Sequence, residues 1–361
     1  MSEARIDSLS NESNTGGPTL SGITTFSGTN YFVPPIGSTA QRPENPQKGS
    51  IRFNTDTKHL EYFRGDTIGW SEVEASHDQL DGGYRGIYGG GNTPSLVDTI
   101  EYITISTLGN ATDFGNLLAA ATGSCGTSSR TRGLFTGTNT TNVIQYVTIS
   151  STGDAINFGD ASDAVGYRGG CSNDNRSATN GGNPNSNTID YTSIATLGDA
   201  LDFGDLTYTS STPISFSNGT RGIFAGGNSS PVINYITIAT TGNAATFGSL
   251  TIGATASEGC SNAIRGVAKL RGSSYVNTID YVTIATLGNS VDFGDAPNNV
   301  GGCAAMASPT RAVFAGGYGS PAFRNDIFYV EIMTTGNALD FGDTSYSADH
   351  LAGFSNGHGG L

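Results

Sequence analysis

The sequence predicts an all-β chain in which six like units of four strands stack around an axis. Three observations carry that prediction. An Arg opens each unit, at Arg85, Arg132, Arg176, Arg221, Arg265 and Arg311. A Tyr follows, at Tyr102, Tyr146, Tyr191, Tyr235, Tyr281 and Tyr329, and then a Phe, at Phe114, Phe158, Phe203, Phe247, Phe293 and Phe341. Tyr to Phe is always 12 residues and Phe to the next Arg always 18, whereas Arg to Tyr is 17, 14, 15, 14, 16 and 18. Fixed spacing marks strands and tight turns, in which a slip of one residue turns every side chain to the wrong face. Variable spacing marks a surface loop, where insertions cost little.

Each unit of about 45 residues has room for four strands. "RGIFAGG" from Arg221 reads as one strand, and "NTIDYVTIAT" around Tyr281 as the next. In the latter, Ile279 and Tyr281 point one way and Val282 and Ile284 the other, so both faces are expected to be covered. Seven residues after each Tyr comes Gly-Asn or Gly-Asp, at Gly109, Gly153, Gly198, Gly242, Gly288 and Gly336, a pair that signals a two-residue hairpin. "ATDFG" supplies a third strand, and a stretch such as "PISFSNG", just before the next Arg, a fourth. Antiparallel units that hide both faces stack on each other, and six of them fall within the range of a β-propeller. Phe354 follows Gly342 by 12 residues, as Phe216 follows Gly204. Residues 349–361 therefore read as the missing strand of the first unit, and their loss is expected to lower the melting temperature sharply.

Over residues 82–361 the Gly-Gly ends and the "NTIDYVTIATLGNSVDFGD" pattern resemble the kelch type of propeller repeat. Phe stands where that family usually has Trp, the hairpin is short and polar, and unit three carries "RSATNGG" in the Gly-rich strand. The resemblance implies a six-bladed kelch-like propeller. The copper oxidases built on such propellers need His and Tyr ligands, and the repeats themselves carry no internal His.

Composition narrows the function. The net charge of −14, with no basic run, argues against nucleic acid and anionic lipid as partners. No stretch is apolar enough to cross a membrane, and the first residues, "MSEARIDSLSNESN", lack the apolar core of a signal peptide. Cys125, Cys171, Cys260 and Cys303 lie in different units and read as small core residues, as expected for assembly in a reducing cytoplasm.

The first 80 residues do not repeat. They divide into a polar tail (1–30) and a small β module (31–76), ahead of the propeller (77–361). The module holds two short strands, "SIRFNT" and "HLEYFRG", a polar turn and a closing Trp, and is too small for a stable core of its own. "GPTLSGITTFSGTNYFVPP" and "RPENPQKGSIRFNTDTKHLEYF…W" resemble the N-terminal module of fibre and other virion structural proteins of tailed phages, those of marine cyanobacteria in particular. The resemblance implies a virion protein, assembled in the host cytoplasm, attached to other virion proteins through residues 1–76 and trimeric. Tyr31, Phe32, Pro34, Pro35, Arg42, Phe53 and Trp70 are the candidate attachment residues.

Repetition also weighs the apparent motifs. "DFG" at Asp113, Asp202, Asp292 and Asp340 holds magnesium in a kinase, but Asn157 and Thr246 take the same slot and no phosphate loop accompanies it. The Asp residues could hold calcium only if six or more oxygens converged; capping of turns is the plainer role. The six arginines are expected to pair within their own units with an Asp or a strand carbonyl rather than to bind an anion. No catalytic set, metal ligand set or cofactor motif stands out, and His59, His77, His350 and His358 lie near the module and the two ends of the ring. The variable loops remain. Arg271, Tyr275, Tyr318, Phe323 and Arg324 are residue types that dominate binding surfaces in loops that need neither for folding. The expected function is non-enzymatic: a tail-fibre-type protein whose loops contact a host-surface glycan or protein. A decoration or spacer protein of the capsid or tail, and a propeller glycosidase or oxidase, are the alternatives.

Overall fold

A computed structural model describes residues 33–57, 59–73, 84–138 and 141–361. The chain divides into two compact units, residues 1–77 and 78–361. Both are all-β among the described residues, with one turn of 3₁₀ helix at Thr39–Gln41 and no α-helix. In the first unit, strands Ile51–Asn54, His59–Phe63 and Trp70–Glu72 form an antiparallel sheet, and Ile36–Gly37 adds a parallel strand beside the first. Trp70 therefore opens a third strand rather than merely closing a two-stranded motif.

In the second unit, each opening Arg begins the second strand of a four-stranded antiparallel sheet, and the sheets are numbered here by those arginines. The fourth sheet is typical: Ile214–Ser217, Arg221–Ala225, Ser230–Thr237 and Ala245–Ala254, in that order. The stretch before each Arg pairs forward with the Arg strand, so it is the first strand of the sheet that follows. By the same rule Ala352–Ser355 pairs with Arg85–Gly89 and is the first strand of sheet one. The Arg strands are buried beyond their first residue in every sheet, because neighbours cover both faces.

The first strands, Cys125–Ser128, Gly169–Ser172, Ile214–Ser217, Glu258–Ser261, Ala304–Ala307 and Ala352–Ser355, lie side by side in that order, and the last adjoins the first. Small residues permit this approach: a Cβ on Gly126 would lie 2.3 Å from the Gly353 carbonyl oxygen. Serines knit the strands together. Ser172 Oγ donates to the Ser128 carbonyl, Ser217 Oγ to Ser172, Ser261 Oγ to Ser217, Ser355 Oγ to Ala307, and Ser128 Oγ to Ser355. Sheet six has Ala307 in that place, and the Ser261 carbonyl accepts from the Gly359 N–H instead. The segment after Ser355 thus takes up the hydrogen bond that the missing hydroxyl leaves. His358 lies with it, Nε2 at 3.0 Å from the Ser128 carbonyl oxygen, and burial pushes its imidazole down to about 4.

The four cysteines are free and buried, and burial raises each thiol. Cys171 and Cys260 occupy the slot of Phe216, Met306 and Phe354 in their first strands.

Two sequence readings change at the end of the sheets where the arginines begin. The Gly-Asn and Gly-Asp pairs are not hairpin turns. Their N–H and side chain reach the fourth strand of the preceding sheet: Gly153 N–H donates to the Phe114 carbonyl, and Asp154 Oδ1 accepts from Asn116 N–H. The same two bonds recur at each sheet, through to Gly109 N–H on Phe341 and Asn110 Oδ1 on Asp343 N–H. These glycines sit at φ between 146° and 158°, a region that a side chain rarely adopts. The Gly of each Phe-Gly packs on that pair; a Cβ on Gly342 would lie 2.4 Å from the Gly109 oxygen.

The arginines bond outside their own sheets, although Arg311 Nε also pairs with Glu331 of its own sheet at 3.0 Å. Each guanidinium stacks 4.5–5.0 Å from the centre of its own sheet's Tyr ring. Nη1 then donates to an Ile carbonyl of the next sheet: Ile149, Ile194, Ile238, Ile284 and Ile332, and from Arg311 back to Ile105 of sheet one. The fixed spacing reflects this lateral stitching, and the tyrosines stand edge-on to the Phe rings at 5.8–6.2 Å. The "DFG" aspartates lie exposed on separate fourth strands.

Candidate functional site

The variable loops join the second and third strands, at the opposite end of the sheets from the arginines. Sheet five departs most from the repeat there. Lys269 ends its second strand where sheet four has Ala225, and its buried ammonium donates to the carbonyls of Leu270, Val276 and Val300 at 2.7–2.8 Å. Burial lowers it to about 8. Lys269 thereby ties both stems of the loop 270–277 to the segment that leads into sheet six. Arg271 is pinned by its backbone: its N–H donates to Ser257 Oγ and its carbonyl accepts from Thr255 N–H.

Sheet six folds its longer loop into a small hairpin, Tyr318–Gly319 with Ala322–Phe323. Tyr318 also exchanges both backbone hydrogen bonds with Gly301. These two anchored loops bring four of the five candidate binding residues together. The Arg271 guanidinium stacks 4.4 Å from the Tyr275 ring centre. Tyr275 lies 5.5 Å from Tyr318, and Tyr318 stands edge-on to Phe323 at 5.1 Å. All four are half-buried. Arg324 makes none of these ring contacts; its N–H donates to the Gly317 carbonyl, and its Nε is buried with no hydrogen-bond partner.

Beside this cluster lies a feature that the sequence analysis missed. Two residues before each first strand the backbone turns left-handed, at Gly123, Tyr167, Thr212, Ala256, Gly302 and His350, with φ from 45° to 73°. Four of the six are not glycine, at a cost of about 1–2 kcal/mol each. They hydrogen-bond in succession: Tyr167 N–H to the Gly123 carbonyl, Thr212 N–H to Tyr167, Ala256 N–H to Thr212 Oγ1, Gly302 N–H to Ala256 and His350 N–H to Gly302. The Tyr167 and His350 rings meet edge-on at 4.9 Å. The signal was present in the spacing, since Gly123, Tyr167, Thr212, Ala256 and Gly302 each lie nine residues before the next opening Arg; without the strand positions it could not be picked out among the Gly, Ser and Thr of the loops.

Tyr167, Thr212, Ala256 and His350 help to line a cavity of about 20 Å³, room for a single water. Glu258 and Arg168 also line it; the Arg168 guanidinium is paired with Asp163 and Asp190, and burial pushes the Glu258 carboxyl well above the usual range. Asp349 is raised to about 6 by burial, against the pull of Arg271, and His350 is lowered to about 4 by burial and by the same arginine. A cavity of this size admits no sugar or peptide, so a ligand of that kind at this end of the sheets would lie on the surface outside it. Among the described residues no group of three His, Cys, Asp or Glu side chains is placed to hold a metal ion.

Of the candidate attachment residues in the first unit, Tyr31 and Phe32 lie outside the described residues. Pro34 is half-buried and Pro35 exposed, its carbonyl accepting from Phe53 N–H. Arg42 is committed internally: it forms a two-pronged ion pair with Glu61, which is fully buried and also meets Arg52 and Asn54. The Arg42 hydrogen bond holds the Glu61 carboxyl below its usual range. Trp70 packs on Phe63 at 5.5 Å, with the Arg52 guanidinium 6.0 Å from its ring, and Phe53 is half-buried. Among the described residues of this unit, the exposed large apolar side chains are Val33, Ile36, Ile51, Ile68 and Val73, which the sequence analysis did not single out.

No family model matches the chain, and no curated protein is significantly similar to it.

Proposed function

We propose that this chain is a non-enzymatic virion structural protein of a tailed phage, with a six-bladed β-propeller that presents its variable loops to the host surface. The sheets of residues 84–361 are its blades. Three sets of lateral bonds support a closed ring, because each returns from sheet six to sheet one: Arg311 to Ile105, Gly109 to Phe341, and Ser128 to Ser355. The small N-terminal sheet attaches to other virion proteins, and its exposed Val33, Ile36, Ile51 and Ile68 suit that role better than the internally paired Arg42.

One observation carries the binding role. Arg271, Tyr275, Tyr318 and Phe323 come from two different loops, repeat nowhere else, and meet in one half-buried cluster on loops whose stems are already anchored. A cluster of that composition is a typical binding surface. The test is binding of the purified full chain to host cells or envelope material. Binding that Tyr318→Ala abolishes, with the melting temperature kept, supports the proposal. Absence of binding by the native chain would turn the assignment toward a spacer or decoration protein.

A further inference from the structure

We infer that the cluster at the loop end receives a carboxylate-bearing saccharide, with the Arg271 guanidinium as the group that reads the carboxylate. The inference rests on the host-surface reading above and narrows it to one ligand class. Seven arginines of residues 84–361 stack on a tyrosine at 4.4–5.0 Å. In six of them the guanidinium is also used as a donor, to a carbonyl of the next sheet. Arg271 has the same stacking and no acceptor for its fork among the described residues. Asp349 is near enough for each charge to affect the other, but no hydrogen bond or ion pair joins it to Arg271 among the described residues; its carboxylate lies 3.7 Å from His350 Nε2, an imidazole that burial and Arg271 lower to about 4. An oriented guanidinium whose donors are not used within the described residues is suited to bind an anion, even in a chain of net charge −14.

The geometry narrows the anion. A planar guanidinium fork matches a carboxylate with two parallel N–H···O bonds, and stacking on Tyr275 fixes its plane, so little further ordering is needed on binding. The acidic surroundings, Asp349 included, favour a monoanion over a phosphate dianion. The rings of Tyr275, Tyr318 and Phe323, 5.1–5.5 Å apart, offer apolar surface for the C–H face of a sugar within reach of the same arginine. The neighbouring cavity holds no more than a water, so the ligand is held at the surface.

The experiment compares oligogalacturonate with its carboxyl-reduced counterpart on the full chain by calorimetry, with host-cell binding measured in parallel. The expected result is that reduction of the carboxyl weakens binding at least tenfold. Arg271→Gln should lose the preference for the acid over the reduced sugar and keep the melting temperature; Arg271→Lys should fall between. Equal affinity for the two sugars, or an undiminished preference for the acid in Arg271→Gln, would overturn the carboxylate assignment while the host-surface reading stands. Binding of neither sugar by a chain that still binds cells overturns this inference alone. Loss of both sugar and cell binding in the native chain removes the host-surface reading with it. The reduced-sugar arm needs no variant, so misfolding of a mutant cannot mask the answer.

Discussion

The two ends of the sheets are built on opposite plans. At the arginine end, each repeated group is spent on the neighbouring sheet: guanidinium to Ile carbonyl, Gly N–H to Phe carbonyl, Asn or Asp side chain to a strand N–H. At the loop end, among the described residues, Arg271 has no acceptor, Arg324 Nε and Asp349 Oδ1 are buried without partners, and six non-glycine residues hold left-handed backbone. The difference teaches that repetition in this sequence marks contact between units. A residue present six times is answering a need that arises six times, and ligand recognition is sought where the repeat lapses.

The largest effects are expected where the lateral stitching is cut. Removal of residues 352–361 takes away the first strand of sheet one together with the Gly359 and His358 contacts to Ser261 and Ser128. The truncated chain should lose its cooperative calorimetric transition. Phe354→Ala alone empties a site packed on Phe135 at 4.9 Å and should cost about 3–5 kcal/mol in denaturant unfolding. A near-native melting curve for the truncation would break the comparison, because the sheets would not depend on the bonds that join the sixth to the first.

Gly342→Ala comes next. Its Cβ would meet the Gly109 oxygen at 2.4 Å and its φ of 153° disfavours any side chain. Strain at such a backbone position costs about 1–3 kcal/mol before the clash is counted. Unfolding in urea measures it, and a change below about 0.5 kcal/mol would show that the sheets can part at this end without loss.

The fold was legible because strands of fixed register leave fixed spacings, and 12 and 18 place Tyr, Phe and Arg correctly in every sheet. The same evidence misassigned two details. Gly-Asn looks like a turn because only local chain is visible in sequence, whereas its partners, such as Phe114 for Gly153, lie about 40 residues away. Arg221 was expected to bond within its own unit for the same reason; its acceptor, Ile284, belongs to the next. At the loop end, Arg271, Tyr275, Tyr318 and Phe323 stood out as residues the repeat does not require. Their convergence, and the roles of Lys269 and Glu258, depended on how loops of sheets five and six lean together, which no period encodes.

Glu258 offers a smaller test with a defined sign. Its folded pKa is raised, so as pH rises above about 4.5 the unfolded chain releases the proton first and stability falls. Glu258→Gln should therefore raise the melting temperature by a few degrees at pH 7 and change nothing below pH 4. His350 and His358, lowered to about 4, work the other way: between pH 6.5 and 4 the unfolded chain takes up protons that the folded chain does not, so stability falls with falling pH in that window. The variant should keep this acid lability. A melting temperature for Glu258→Gln that is unchanged at pH 7 would mean that the carboxyl has found a partner or water enough to remain charged.

The smallest effect on stability is expected at Tyr318→Ala. The ring is half-buried and touches only Tyr275 and Phe323 among aromatic neighbours, while the bonds that hold this position, between Tyr318 and Gly301, are made by backbone and survive the substitution. The cost should be about 1 kcal/mol, the centre of the range for single substitutions, well below that of Phe354→Ala. Binding to host material should nevertheless be lost. A loss of several kcal/mol would place Tyr318 with the scaffold residues, as packing for the loop stem, and the contrast between the two ends of the sheets would then be one of loop length alone.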